Sequence, residues 1–306
     1  MKIVVLDGYT TNSGDLSWDK INKLGELIVY ERTSPHEIVE RAKDAEVIIL
    51  NAVTLNVDVL KQLPKLKLIS ILATGYNNVD LLVAKAQGIA VCNTPTYSTE
   101  AVSQHTIALL LEITNNVALH SNSVHNGAWH KCPDDCFYIK PLTLLDGKTM
   151  GIIGYGNIGK RVGRIAEALG MKIIPYSKDP EAAIRADVIS LHCPVTRENQ
   201  RFVNSEFISK MKDGVIFLNT ARGELVDELA LFNALKSGKI AAAGVDVLRT
   251  EPPKADVNCT LMEAPNCFIT PHHAWMPIET RQLLLNIAYE NIKSFINGDT
   301  LNRVDL

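Results

Sequence analysis

The stretch Met150-Gly-Ile-Ile-Gly-Tyr-Gly-Asn-Ile-Gly159 decides the fold. An apolar run, Met150 to Ile153, leads into Gly154-x-Gly156-x-x-Gly159, and a helix-forming stretch from Lys160 to Leu169 follows. A glycine triplet alone is a weak signal. A strand before it and a helix after it are the context a dinucleotide-binding turn requires. Gly154 suits the tight turn, Gly156 lets the backbone approach a pyrophosphate, and Gly159 lets helix and strand pack closely. Free N–H groups and the dipole at the helix start favour the anion.

In such a unit an acidic residue after the next strand bonds the ribose 2′-hydroxyl of NAD. The next apolar run ends at Tyr176 and is followed by Ser177 and Lys178, with Asp179 two positions beyond Ser177. A hydroxyl and an ammonium suit a 2′-phosphate better than a carboxylate does. The expected cofactor is therefore NAD(P)H, leaning to NADP(H). Residues 177–187 alone separate this run from Val188 to His192. A parallel crossover needs at least about ten to twelve residues, so one short connection fits and an extra strand with two helices does not. The adenine side of the site is expected to be abbreviated.

Working outward, short apolar runs alternate with helix-like segments along almost the whole chain: Ile3–Leu6, Val47–Leu50, Leu68–Leu72, Ile89–Cys92, Met150–Ile153, Lys172–Tyr176, Val188–His192, Val215–Asn219 and Ala241–Val247. Continuous runs of this length suggest strands buried on both faces, and their alternation with helices suggests parallel βαβ sheets. One long helical pattern runs from about Thr99 to Asn126, and a second from Glu279 to Asn297, ended by Gly298. These two helices are taken as the joints between two domains.

The chain has 306 residues, 46% of them apolar and 21% charged, with a formal net charge of -3. That balance is globular and offers no basic field for nucleic acid. The apolar run in MKIVVLDGYT is too short for a signal-peptide core, and no stretch approaches a membrane span, so a cytoplasmic protein is expected. The six cysteines contain no C-x-x-C pair and are read as reduced thiols. His130, Cys132 and Cys136 match no standard zinc spacing, and no metal is expected.

Three segments in the last third carry polar residues just after an apolar run: Val215-Ile-Phe-Leu-Asn-Thr-Ala-Arg-Gly-Glu-Leu-Val-Asp227, Gly244-Val-Asp-Val-Leu-Arg-Thr-Glu-Pro-Pro253 and Phe268-Ile-Thr-Pro-His-His-Ala-Trp275. That is the carboxyl end of a parallel sheet, where open α/β folds bind ligands. Their N-T-A-R-G, D-V-x-x-x-E-P-P and T-P-H motifs together resemble the D-2-hydroxyacid dehydrogenases. The opening V-V-L-D-G-Y-T, the segment L-A-T-G-Y-N and P-H-x-A-W resemble the glycerate dehydrogenase/hydroxypyruvate reductase branch in particular. The likeness extends over essentially the whole chain. Two departures stand out: Ser177 replaces the usual acidic residue, and the segment after it is shorter.

The resemblance implies an α/β protein of two doubly wound parallel-sheet domains. A Rossmann nucleotide-binding domain, residues 99–276, is inserted in a flavodoxin-like substrate domain, residues 1–98 plus 277–306, with the active site in the cleft and a homodimer as the assembly. It implies reduction of a small 2-keto acid, hydroxypyruvate or glyoxylate, to the D-2-hydroxy acid. The catalytic set maps onto Arg222, Glu251 and His272. A protonated imidazole suits the developing alkoxide near neutral pH, a carboxylate beside it favours the charged form, and a guanidinium orients and polarises the keto acid. The substrate carboxylate is expected on Ala73, Thr74 and Gly75, with Arg222 and His272. Cofactor contacts are implied at Gly154, Gly156, Asn157, Ile158 and Gly159, at Ser177 and Lys178, and at Thr74, Thr106, Cys193, Pro194, Thr220 and Ala221. Arg222, Asp246, His272 and Trp275 complete that set, with Asp246 facing the nicotinamide.

His273 competes with His272 by adjacency, but the family motif places the active imidazole directly after Pro. Asp227 reads as a helix cap rather than a second acid. Trp275 either closes the pocket or packs as an interface aromatic. The remaining histidines (36, 105, 120, 125, 130 and 192) read as surface or core residues. Rival readings are a dehydrogenase for phosphoglycerate, lactate or a bulkier acid, and a nucleotide-sensing corepressor on the same fold. Phosphoglycerate calls for basic residues near the substrate loop, and Leu72 to Asp80 has none.

Overall fold

A computed structural model describes residues 1–253 and 260–306. The chain divides into two compact units, Met1–Ser98 with Met276–Leu306, and Thr99–Trp275.

In the first unit the strands are β1 (Lys2–Val5), β2 (Glu26–Val29), β3 (Val47–Leu50), β4 (Leu68–Ile71) and β5 (Ala90–Cys92). All neighbours pair in parallel, in the order β2-β1-β3-β4-β5. This is the flavodoxin-like doubly wound order. Every residue of β3 and β4 is buried, which is why both read as unbroken apolar runs. β2 has no counterpart among the apolar runs read from the sequence. It is the edge strand, with its residues only half-buried or exposed, so the core selects its side chains weakly. The helix Ile278–Ile296 belongs to this unit. Its buried Asn291 donates to Asn93 O at 2.8 Å and accepts from Asn302 Nδ2 at 2.8 Å. Asp305 accepts from Val91 N–H at 2.8 Å. The carboxyl-terminal segment is thus tied to the β5 edge.

The second unit carries β6 (Thr149–Ile153), β7 (Lys172–Pro175), β8 (Val188–Leu191), β9 (Val215–Asn219), β10 (Ile240–Val245) and β11 (Cys267–Ile269). They form one parallel sheet, β11-β10-β9-β8-β6-β7. Alternate side chains feed two cores, as a pleated strand requires. Phe217, Ile189 and Val245 pack with Leu231 and Leu235 of helix Glu228–Ser237. Ile216, Leu218 and Ile152 pack with Ile107, Leu110 and Ile113 on the other face. The chain runs from β6 out to β7 and returns to the opposite side of β6 as β8. The strand order therefore switches between β6 and β8, the place where such sheets bind ligands.

The segment after β7 holds one short helix, Pro180–Ile184, and β7 is the sheet edge. So short a crossover lies flush on β6. A Cβ at Gly151 would stand 2.0 Å from Ala183 O. The helix expected from Thr99 to Asn126 is broken in two, Thr99–Asn115 and Val117–His125. The buried Asn116 between them takes a left-handed φ of 49°, so the helical path cannot continue through it.

Candidate active site

The glycine turn is built by close backbone approach. Gly154 has a φ of +97°, and a Cβ there would lie 2.4 Å from Cys193 N and from the carbonyl carbon of His192. The turn after β6 therefore rests on the chain leaving β8, at the topological switch. A Cβ at Gly159 would lie 2.3 Å from Gly154 O. Gly156 differs: a Cβ there would meet nothing within 4 Å. The space beside it is open, so a ligand can approach the backbone there. Gly156 is also the N-cap of helix Asn157–Ala168, whose first turn has neither a side-chain cap nor an acidic residue. The first-turn N–H groups of Asn157 and Ile158 are thus left for an anion. These features fit a dinucleotide pyrophosphate.

Ser177 and Lys178 are exposed beyond β7. Asp179, the nearest following acid, is spent as the N-cap of helix Pro180–Ile184, accepting from Ala182 N–H at 3.0 Å. Cys193 is half-buried, its thiol pushed up by burial, and Pro194 follows it on the same connection. Thr220 and Ala221 are buried just past β9. Thr106, expected to touch the cofactor, is fully buried, and its hydroxyl lies 2.7 Å from Val102 O and 2.8 Å from Thr220 Oγ1. Its hydroxyl links Val102 to Thr220.

Arg222 follows in extended backbone, half-buried, donating from Nη1 to Ala221 O at 2.7 Å. Asn219 shapes this turn: its Oδ1 accepts from Ala221 N–H at 3.0 Å and its Nδ2 donates to Arg222 O at 2.9 Å. Asp227 caps helix Glu228–Ser237 by accepting from Leu229 and Ala230 N–H.

Glu251 is held at both oxygens. Oε1 accepts from Leu248 N–H at 2.7 Å, and Oε2 lies 2.6 Å from His272 Nδ1. Burial works against its charge, but the hydrogen bond and charge of His272, the Leu248 N–H and the charge of Arg222 outweigh it. Its carboxyl is held below the ordinary value. The pairing with Glu251 engages Nδ1 and does not involve Nε2. His272 has a φ of +52°. Its N–H donates to Asp246 O at 2.8 Å. The Asp246 carboxylate is 2% exposed and accepts from the backbone of His273 at 3.1 Å and Ala274 at 3.0 Å. Trp275 follows, half-buried.

The structure thus brings Arg222, Glu251 and His272 into one electrostatic group. It also places His105, one of the histidines expected to be surface or core residues, against the same turn: its Nε2 lies 2.9 Å from Thr270 Oγ1 and its ring meets that of His273 edge-on. His192 is a core histidine: its Nε2 lies 2.8 Å from Ser190 Oγ, and its enclosed Nδ1 has no hydrogen-bond partner among the described residues. His120 ties helix Val117–His125 to the following loop, with Nδ1 2.8 Å from Asn116 O and Nε2 accepting from Ile139 N–H at 3.0 Å.

In the first unit, Ala73, Thr74 and Gly75 follow β4. Thr94 N–H donates to Ala73 O at 3.0 Å, Asn93 Nδ2 to Thr74 O at 2.8 Å, and Thr74 Oγ1 to Thr94 O at 3.1 Å. Asp7 accepts from the N–H groups of Asn51, Ala52 and Val53, and Asn78 donates to Asn51 O and Val53 O. The loop is held at its base while Thr74 remains exposed. Cys92, Cys132, Cys136 and Cys193 form no disulfide; Cys259 lies outside the described residues. No helix among the described residues is long and apolar enough to cross a membrane.

Residues 107–274 match the model of the D-isomer specific 2-hydroxyacid dehydrogenase, NAD binding domain. The chain is 48% identical to a hydroxypyruvate reductase of Blautia hydrogenotrophica, with 100% of both chains covered. It is 40% identical to a glycerate dehydrogenase of Methylorubrum extorquens, with 99% of each covered. Among solved structures, the D-lactate dehydrogenase of Aquifex aeolicus, complexed with NAD and lactic acid, superposes with a TM-score of 0.85 at 29% identity, covering 100% of this chain and 99% of that one.

Proposed function

The chain belongs to the D-isomer specific 2-hydroxyacid dehydrogenases, and on that premise we propose that it reduces hydroxypyruvate or glyoxylate reversibly to D-glycerate or glycolate. The observation that carries this reading is the 2.6 Å pairing of His272 Nδ1 with Glu251 Oε2 beside Arg222. The nicotinamide, when bound, supplies the hydride. His272 delivers a proton from Nε2 to the carbonyl oxygen, a contribution of about 10²- to 10⁴-fold for a positioned general acid. Glu251 holds the Nδ1–H and so stabilises the imidazolium that donates. Arg222 orients the keto acid and polarises its carbonyl. In the oxidative direction His272 accepts the proton.

Ala73, Thr74 and Gly75 are proposed to take the substrate carboxylate. With no basic residue between Leu72 and Asp80, the loop favours a small acid over a phosphorylated one. NADP(H) is the proposed cofactor, because Ser177 and Lys178 present no carboxylate and that of Asp179 is occupied as a helix cap. The proposed assembly is a homodimer. Trp129, Tyr138, Leu142 and Leu144, all exposed in one stretch of the second unit, give it apolar surface to bury. A cytoplasmic location is proposed, in keeping with a reaction that draws on reduced nicotinamide.

The test is initial-rate reduction of both keto acids with NADPH and NADH in parallel. Rapid turnover, faster with NADPH, is expected. Nucleotide binding without turnover on any small keto acid would overturn the reading in favour of a sensor.

A further inference from the structure

His105 lies on helix Thr99–Asn115, which packs closely on the sheet where Gly244 gives it room: a Cβ at Gly244 would lie 3.0 Å from Leu109 Cβ and from a Leu218 methyl. The His105 Nε2 lies 2.9 Å from Thr270 Oγ1, and that hydroxyl donates its own proton to Asp246 Oδ1 at 2.6 Å. A hydroxyl has one proton to give, so His105 is the donor in the first bond and carries a proton on Nε2. Asp246 in turn receives the N–H groups of His273 and Ala274 on its carboxylate and that of His272 on its carbonyl. The chain of bonds from His105 therefore ends on the three residues that form the turn. Within that turn His272 takes a left-handed φ of +52°, an uncommon conformation for a residue other than glycine, though one that His adopts more readily than most.

We propose that His105 is a positioning residue which, through Thr270 and Asp246, holds the turn that aims His272 at Glu251. The proposal rests on the reading of His272 as proton donor. The ligand atoms of His105, Asp246 and His273 lie within 4.8 Å of one another, a spacing open to a metal ion. The Asp246 carboxylate already accepts from Thr270 and His273 on Oδ1 and from Ala274 on Oδ2, bonds that tie the cluster into the turn. Asp246 and the His273 ring, edge-on at 4.8 Å, are the titratable groups that bear on His105. Burial lowers its pKa, Asp246 opposes that and His273 adds to it, consistent with a neutral ring holding its one proton on Nε2.

Two variants separate the bond from the packing. His105→Leu keeps apolar bulk and removes the donor, while His105→Gln returns an N–H near the place of Nε2. His105→Leu is expected to lower kcat for hydroxypyruvate by about ten- to a hundredfold, the scale of a misplaced reacting group. The KM values should hold within about twofold, and His105→Gln should recover most of the loss. Wild-type kcat in His105→Leu, or equal losses in both variants, overturns the proposal. A wild-type protein that turns over no keto acid defeats the reading of the reaction instead. The crystal structure of His105→Leu then decides on its own. A shifted 270–274 turn with the His272–Glu251 bond opened supports the proposal, and an unchanged turn overturns it.

Discussion

Gly223 and Leu248 meet backbone to backbone: a Cβ on Gly223 would lie 2.0 Å from the carbonyl carbon of Leu248 and 2.3 Å from Arg249 N. The glycine of N-T-A-R-G is thus what allows the segment bearing Arg222 to lie against the segment that bears Glu251. Gly223→Ala is expected to force them apart, at a cost typical of overpacking, about 1–3 kcal/mol, with loss of most activity. Gly156→Ala is the contrast. It meets no protein atom within 4 Å, so the thermal midpoint should hold while nucleotide affinity falls, as calorimetric titration would read. A Gly156→Ala protein that binds nucleotide normally would remove the cofactor from this turn.

Glu251 is held below its ordinary pKa of 4.5 although burial opposes its charge. A depressed carboxylate keeps its charge down to its folded pKa, so any acid limb of kcat/KM due to Glu251 should lie below pH 4.5. Glu251→Gln keeps the shape and removes the charge. It should lower kcat by about a hundredfold or more. An unaltered pH–rate profile in that variant would show that the imidazole does not need this partner.

Ser177→Asp places a carboxylate where a 2′-phosphate is proposed. The ratio of kcat/KM for NADPH over NADH should fall by about tenfold or more, since like charges repel and a carboxylate bonds the free ribose hydroxyl. An unchanged ratio would mean that Ser177 does not contact the ribose.

His192 is pushed down to about 3 by burial. Between that value and the unfolded value of 6.5 the unfolded chain binds one proton more than the folded one. Stability contributed by the neutral ring is therefore complete above pH 6.5 and is lost as pH falls, by about 1.4 kcal/mol per pH unit. His192→Gln cannot titrate, and its denaturation midpoint should vary less between pH 6.5 and 4.5 than that of the wild type. Parallel curves would assign the acid sensitivity elsewhere.

These sites differ in how plainly the sequence announces them. β3 and β8 are legible because burial on both faces leaves only apolar residues. The short edge beyond β7 is legible from chain length alone, since residues 177–187 have no room for another strand. Local spacing does not reveal β2, where the edge position relaxes the demand on side chains, nor the break at Asn116, which carries neither Gly nor Pro to mark it. Arg222, Glu251 and His272 stand out as candidates because each lies in a motif after a strand that resembles the family's. His105 is not, because its partner Thr270 is 165 residues away and only the packing of a helix on β10 brings them together. A lone histidine in a helical pattern has no local mark of that role.

The most direct test sets the wild type beside His272→Ala, following nicotinamide absorbance with hydroxypyruvate and measuring nucleotide affinity in the same samples. Rapid reduction by the wild type is expected, with a loss of about 10²- to 10⁴-fold in the variant and nucleotide binding that is nearly the same in both. Equal rates in the two proteins would contradict it, as would a wild type that binds nucleotide and reduces no keto acid.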